Sequence, residues 1–333
     1  MIIAAASERA HGDVANSVGR VAGEARRLDG AVTSTSEQRE RLAVVGPGAI
    51  GATFAAVAQR AGMGAVPLYG RTAVGGITVQ PDDGDPVVLA GEVRTAPEHA
   101  RGPLDWLLLA VKVHQTPDAG HWLRSLCGPE TVVVVLQNGV EHRDRVAPYV
   151  GSATVLPAVV WCPAEGLDRR TVRLRGVPEL TVPDEPAGHR LAELLVPGGA
   201  QIHVRPDFHT ELWRKMTMNA LAALMVLSGR RSGVFRRADV RTLGLALARE
   251  CMAVAEAEGA RLNPAFAELM VDRLATMPPD MGSSILFDRA ADRTLEWDAR
   301  NGVLCRLGAR HGVPTPISDV LVPLLAAASD DPN

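Results

Sequence analysis

Between the apolar run at residues 42–45 and an Ala-rich stretch reaching Arg60 lies Gly46-Pro47-Gly48-Ala49-Ile50-Gly51. The pattern predicts a turn joining a strand to a helix. In that setting the first glycine permits the tight turn, the second lets a pyrophosphate approach the backbone, and the third lets helix and strand pack closely. Unpaired N–H groups and the helix dipole then attract phosphate. Residues 46–51 are therefore candidate dinucleotide ligands. The plainer alternative is a glycine-rich turn in an unrelated α/β protein.

The rest of the chain divides around this turn. Residues 1–40 are rich in Ala, Gly, Ser and Arg and read as a loosely ordered extension, with a marginal helix at 14–28. Strands are expected at 65–69, at 104–111 and 131–136 (runs of the kind a parallel sheet buries on both faces), and at 155–161, 171–174 and 179–182. A hairpin fits 77–79 and 87–89, and helices fit 114–126 and 187–195. Beyond about residue 206 strand signals stop, and helices are expected at 209–227, 238–258, 264–275 and 296–310. Gly259 and Gly312 suit C-terminal caps. The expected architecture is a Rossmann-type α/β domain with a mostly parallel sheet over 41–206, then an all-α domain over 207–328.

A formal net charge of −3 argues against nucleic acid or an anionic membrane as partner. No apolar run is long enough for a membrane helix, and the opening MIIAAA is too short for a signal peptide. Cys127, Cys162, Cys251 and Cys305 are scattered without metal-ligand spacing, so no metal site is expected and the cytoplasm is the expected location. The helical half could pair with a copy of itself as a homodimer.

Of the 35 basic residues only two, Lys112 and Lys215, are lysines. Arginine can carry surface charge, but only lysine can be tuned to release a proton near neutral pH. Chance survival in a lysine-poor chain is the plain alternative. Lys112 follows the strand at 104–111, and Asn138-Gly139 follows the one at 131–136. In open α/β sheets ligands bind outside the carboxyl ends of the strands, so both should converge with the glycine turn. A loop lysine and a turn-forming Asn-Gly remain the ordinary readings of each alone. After the second strand the chain reads Tyr69-Gly70-Arg71, with no acid for a ribose 2′-hydroxyl. Arg71 suits a 2′-phosphate and favours NADPH, unless it simply faces solvent.

In the helical half, Lys215 and Asn219 stand four apart on one face of an apolar helix. A desolvated lysine there could give up a proton near pH 7, whereas a snorkelling lysine would not. Trp213 reads as packing. Ser283-Ser284-Ile285-Leu286-Phe287-Asp288 precedes a break, after which Thr294 could cap a helix opened by Glu296. An acid there is ordinarily a dipole partner.

Together these segments resemble the ketopantoate reductase family: GPGAIG at 46–51, Arg71, AVK ending at Lys112 with Gln115, QNG at 137–139, ELWRKMTMN at 211–219, SSILFD at 283–288 and RTLEWDARNG at 293–302. The resemblance spans about 41–325. It implies NADPH-dependent reduction of a 2-oxo acid, with Lys215 as general acid and Glu296 as its catalytic partner. It also implies Asn219, Ser284, Asn138 and Lys112 at the substrate, Ser284 through the carboxylate. Lys112, Asn138 and Glu296 would border the cofactor as well. Ala223 stands where the family commonly has another asparagine, which predicts a more apolar pocket wall and a substrate that could differ from ketopantoate. Another two-domain hydroxy-acid dehydrogenase, an imine reductase and a non-catalytic NADP(H) sensor are the alternatives.

Overall fold

Three four-residue strands are buried along their whole length: β1 (Leu42–Val45), β5 (Trp106–Leu109) and β6 (Val132–Val135). Side chains alternate along a strand, so each must be covered on both faces. Leu42, Val44, Trp106, Leu108, Val132 and Val134 pack with α1 (Ala49–Ala58), while Ala43, Val45, Leu107, Leu109, Val133 and Val135 pack with α2 (Thr116–Leu126) and α3 (His142–Val150). With β2 (Leu68–Tyr69) and β7 (Thr154–Pro157) they form a five-stranded parallel sheet, ordered β2-β1-β5-β6-β7. The chain passes from β1 to β2 on one side and later to β5 on the other. The order thus reverses between β1 and β5, where a ligand crevice belongs.

The computed structural model describes residues 41–330, so the extension and its expected helix lie outside the described residues. The expected hairpin is present as β3 (Gly75–Pro81) and β4 (Val87–Glu92). It belongs to a separate four-stranded sheet with β9 (Ala164–Gly166) and β10 (Thr171–Leu174), packed on α1. The run at 155–161 is not one strand. It breaks at Pro157-Ala158, and its second part, β8 (Val159–Trp161), joins β11 (Glu179–Pro183) and β12 (Gln201–Arg205) in a third sheet. Sequence reading missed β12, whose residues are half exposed, and α3, which is polar and contains Pro148. The helix α4 (Pro186–Leu195) falls where expected.

After Arg205 the described residues contain no further strand. Asp207 caps α5 (Phe208–Ser228), its carboxylate accepting from the Thr210 amide at 3.3 Å. There follow α6 (Ala238–Ala257), α7 (Phe266–Thr276) and α8 (Ser284–Ala290), the last capped by Ser283. The helix expected at 296–310 begins later and irregularly. A π-helical turn covers Asp298–Gly302 and leads into α9 (Val303–His311), which ends at left-handed Gly312. Thr294 caps nothing, and Glu296 lies ahead of the helix, where its carboxylate is held by the α/β half as described below. At this seam Glu141 and Arg145 of the α3 region meet Asp298 and Arg306. Arg145 Nη2 lies 2.7 Å from both Glu141 and Asp298, and Arg306 binds the same two acids.

A final helix, α10 (Pro316–Ser329), was not foreseen, because Pro316 and Pro323 disguise it. Its start is secured by Glu250 of α6. The buried carboxylate accepts from the Ile317 amide at 2.5 Å, the Ser318 amide at 2.9 Å and the Ser318 hydroxyl at 2.8 Å. Acidic oxygens at exposed N–H groups of a helix start are stabilising, and hydrogen bonds to a charged group contribute about 1.5–3 kcal/mol. Glu250→Ala is therefore expected to cost about 3 kcal/mol in chemical denaturation, while leaving the dinucleotide affinity of the folded protein unchanged. A loss below about 1 kcal/mol would mean that the cap contributes little.

Candidate active site

The glycine turn sits at the carboxyl end of β1, pressed on the end of β5. Gly46 has φ +93°, and a side chain there would meet the Val111 amide at 2.6 Å. A Cβ on Gly51 would lie 2.2 Å from the Gly46 carbonyl, so only glycine lets α1 start this close to β1. A Cβ on Gly48 would meet nothing within 4 Å. That is the open backbone cradle a pyrophosphate needs, at the N-terminus of a helix whose first turn contains no acid. Pro47 packs against Gly70, which places Arg71 beside the same turn. Arg71 is exposed.

Next to the cradle, the loops after β5 and β6 are braced to each other. Gln137 Nε2 donates to the Val111 carbonyl and to Thr116 Oγ1, both at 2.9 Å, and buried His142 Nε2 meets the Gln137 carbonyl at 2.9 Å. Gln115 accepts from the Lys112 amide at 3.2 Å. These bonds fix Lys112 and Asn138. Gly139, at φ +106°, lets Ala299 of the π turn come close: an added Cβ would sit 3.2 Å from the Ala299 carbonyl.

Five of the residues selected from sequence meet here. Glu296, 4% exposed, is reached by the Val113 amide at 3.1 Å, by Asn138 Nδ2 at 2.9 Å and by Lys112 Nζ at 3.6 Å. Asn219 Nδ2 donates to Asn138 Oδ1 at 3.3 Å, which continues the chain into α5. Ser284 joins through Arg300, whose Nη2 donates to the Ser284 hydroxyl at 2.8 Å and lies 3.9 Å from Glu296. Burial alone would raise the Glu296 pKa, but Lys112, Arg300, the Val113 amide and Asn138 together hold it below the ordinary carboxylate value. Glu296 is thus an ionised carboxylate tied to both halves of the chain, not a dipole partner of a helix start.

Lys215 stands apart from this chain of bonds. It is half-buried, with its ammonium 3.5 Å from the centre of the Trp161 ring. Burial, then the positive charges of Arg300 and Arg273, push its pKa down to about 7. The snorkelling alternative does not fit an ammonium seated on an aromatic face. Trp213 is fully buried, as packing requires.

Three participants escaped the sequence reading. Asp288, in a quoted motif but given no role, binds Lys112 Nζ at 2.7 Å. Trp161 was read only as the end of a strand. Arg300 was one arginine among many, although its position four residues after Glu296 was a usable signal. Ala223 is buried in the apolar core of the helical half with Leu221, Leu224 and Met225.

Residues 42–186 match the family model described as ketopantoate reductase PanE/ApbA, and residues 207–329 match its C-terminal counterpart. A 2-dehydropantoate 2-reductase of Mycobacterium tuberculosis (strain ATCC 25618 / H37Rv) is 52% identical over 292 residues, spanning 88% of this chain and 99% of that protein. The chain belongs to the ketopantoate reductase family. A second family relative, from Caulobacter vibrioides, is 37% identical across 86% of the chain and 99% of its own length. Among solved structures, the PanE/ApbA family ketopantoate reductase of Ralstonia eutropha JMP134 superimposes with a TM-score of 0.78 at 27% identity, covering 87% of this chain and 98% of that one.

The two glycines separate nucleotide binding from folding. Gly51→Ala forces backbone apart and is expected to cost at least about 2 kcal/mol of stability. Gly48→Ala is expected to change stability by less than about 1 kcal/mol while weakening dinucleotide binding at least tenfold, since the new methyl occupies the cradle. Denaturation curves and fluorescence titration with NADPH read the two effects. Equal NADPH affinity in Gly48→Ala would rule out the cradle.

Proposed function

We propose that this ketopantoate reductase family member reduces the 2-oxo group of ketopantoate to the alcohol of pantoate, with NADPH as donor and Lys215 as proton source. The observations carrying this reading are an ionised, doubly anchored Glu296, bonded through Asn138 to Asn219 on α5, and, one turn earlier on that helix, a half-buried Lys215 whose pKa is pushed down to about 7. The glycine cradle and Arg71 fit a phosphorylated dinucleotide, which residues 46–51 would hold, with Arg71 available to a 2′-phosphate and Lys112, Asn138 and Glu296 bordering the same crevice. Bound there, the reduced nicotinamide supplies the hydride.

The remaining chemistry falls to the protein. As the carbonyl carbon is reduced, negative charge develops on its oxygen. Lys215 donates a proton to that oxygen, and its cation stabilises the charge before transfer. Trp161 keeps the ammonium in one place and sheds water from it. Asn138 and Asn219, already bonded to each other, present amides to the substrate, and Ser284 receives its carboxylate. Glu296 accepts the substrate hydroxyl and orients the acid. In this reading residues 41–206 hold the cofactor and 207–328 supply most of the substrate contacts. Ala223, sunk in the core, is compatible with ketopantoate itself as substrate.

The surroundings agree. Among the described residues no helix is long and apolar enough to cross a membrane, and all four cysteines are free, which suits a cytoplasmic enzyme. Val320 and Leu324 stand one turn apart on α10 at 61% and 51% exposure, an apolar face that a second copy could cover in a homodimer.

Only the ammonium form can donate. Because the Lys215 pKa is lowered to about 7, that form is lost as pH rises through neutrality. The rate of ketopantoate reduction is expected to be flat below about pH 6.5 and to fall tenfold per unit above about 7.5, with pantoate oxidation showing the opposite slope. Lys215→Ala is expected to lower kcat by about 10²–10⁴-fold with NADPH still bound. Spectrophotometric NADPH oxidation across pH checks both. Tight NADPH binding without turnover on ketopantoate or related 2-oxo acids would favour a sensor over an enzyme.

A further inference from the structure

Arg300 is the most deeply buried charge of the site, at 2% exposure. A guanidinium carries five N–H donors, yet among the described residues this side chain makes a single hydrogen bond, from Nη2 to Ser284 Oγ. Its Nε is buried without a partner. Glu296 does not explain it: the carboxylate lies 3.9 Å away and is already supplied by Val113, Asn138 and Lys112. The partner Arg300 holds is Ser284, which is itself exposed on the first turn of α8.

We propose that Arg300 sets the specificity for a substrate carboxylate, as a positioning residue acting through Ser284. The inference rests on the reading of the chain as a 2-oxo acid reductase. A serine hydroxyl has one proton to give. Once its oxygen accepts from Arg300, that proton is free to point outward and donate to an anion. The guanidinium behind the hydroxyl polarises its O–H bond in a poorly solvated place and so strengthens it as a donor. Charge balance points the same way. Lys112, Lys215 and Arg300 outnumber Asp288 and Glu296, a net positive sign that favours an anionic substrate. Arg273 of α7 and the exposed Arg293, 3.6 Å from Asp288, add to that sign.

The substrate pair that tests this is ketopantoate and its lactone, which carries the same reactive carbonyl and no carboxylate. With NADPH, the unaltered enzyme is expected to prefer the acid in kcat/KM by at least about tenfold. Arg300→Met is expected to remove most of that preference: its effects on Lys215 and Glu296 fall on both substrates alike, while the rise in KM falls on the acid alone. Arg300→Lys should keep part of it. Because Arg300 acts through Ser284, the double variant with Ser284→Ala should discriminate no worse than Ser284→Ala alone. Equal losses for acid and lactone, additive effects of the two substitutions, or no acid preference in the unaltered enzyme would each overturn the assignment. Should Arg300→Met fail to fold, Arg300→Lys carries the test: an acid-to-lactone ratio equal to that of the unaltered enzyme sinks the proposal. Absence of turnover on both substrates would instead defeat the reductase reading. The carboxylate assignment is then read by calorimetry of ketopantoate binding to NADPH-saturated protein, with unchanged affinity in Arg300→Lys counting against it.

Discussion

A carboxylate at 4% exposure is expensive unless hydrogen bonds and opposite charges compensate it, and Glu296 finds both across the seam of the molecule. Its partners include Val113, Asn138 and Lys112 from the parallel sheet's loops, and Arg300 from the turn that follows it. Removing it would leave Lys112 with Asp288 alone and strand buried donors on both sides. The need to satisfy this one group holds the loops after β5 and β6 against the π turn. The left-handed Gly139 and the small Ala299 make that approach sterically feasible. The charged ring of Glu141, Arg145, Asp298 and Arg306 fastens the same seam nearer solvent.

The parallel sheet was legible because its central strands are apolar at every position and too short to be helices. The glycine turn was legible because each glycine answers a separate steric demand. What stayed hidden was hidden for physical reasons. β12 is an edge strand with half-exposed residues, so it lacks an apolar run. The break at Pro157-Ala158 sends two parts of one hydrophobic run into different sheets, a tertiary outcome that local pattern does not encode. α10 begins with one proline and contains another, and is stabilised by a glutamate 67 residues away along the chain.

At the site, legibility followed scarcity. The scarcity of lysine in an arginine-rich chain singles out Lys112, which joins the Glu296 network, and Lys215, which sits on the Trp161 ring. The same abundance concealed Arg300, since nothing in composition separates a buried arginine from those on the surface. Lys112 and Asn138 could be placed by topology, because strand ends converge. That Asn219 would bond to Asn138, or that Trp161 would lie under Lys215, depended on how α5 crosses the third sheet.

The seat of Lys215 on Trp161 also has a consequence for reactivity. Lys112 is held in a short ion pair with Asp288, whereas Lys215, half-buried on Trp161, has its pKa pushed down to about 7. An uncharged amine is a nucleophile and an ammonium is not. A mild acylating reagent or aldehyde therefore meets, in this lysine-poor protein, one side-chain amine ahead of the other, and general amine chemistry becomes selective for a single position on α5.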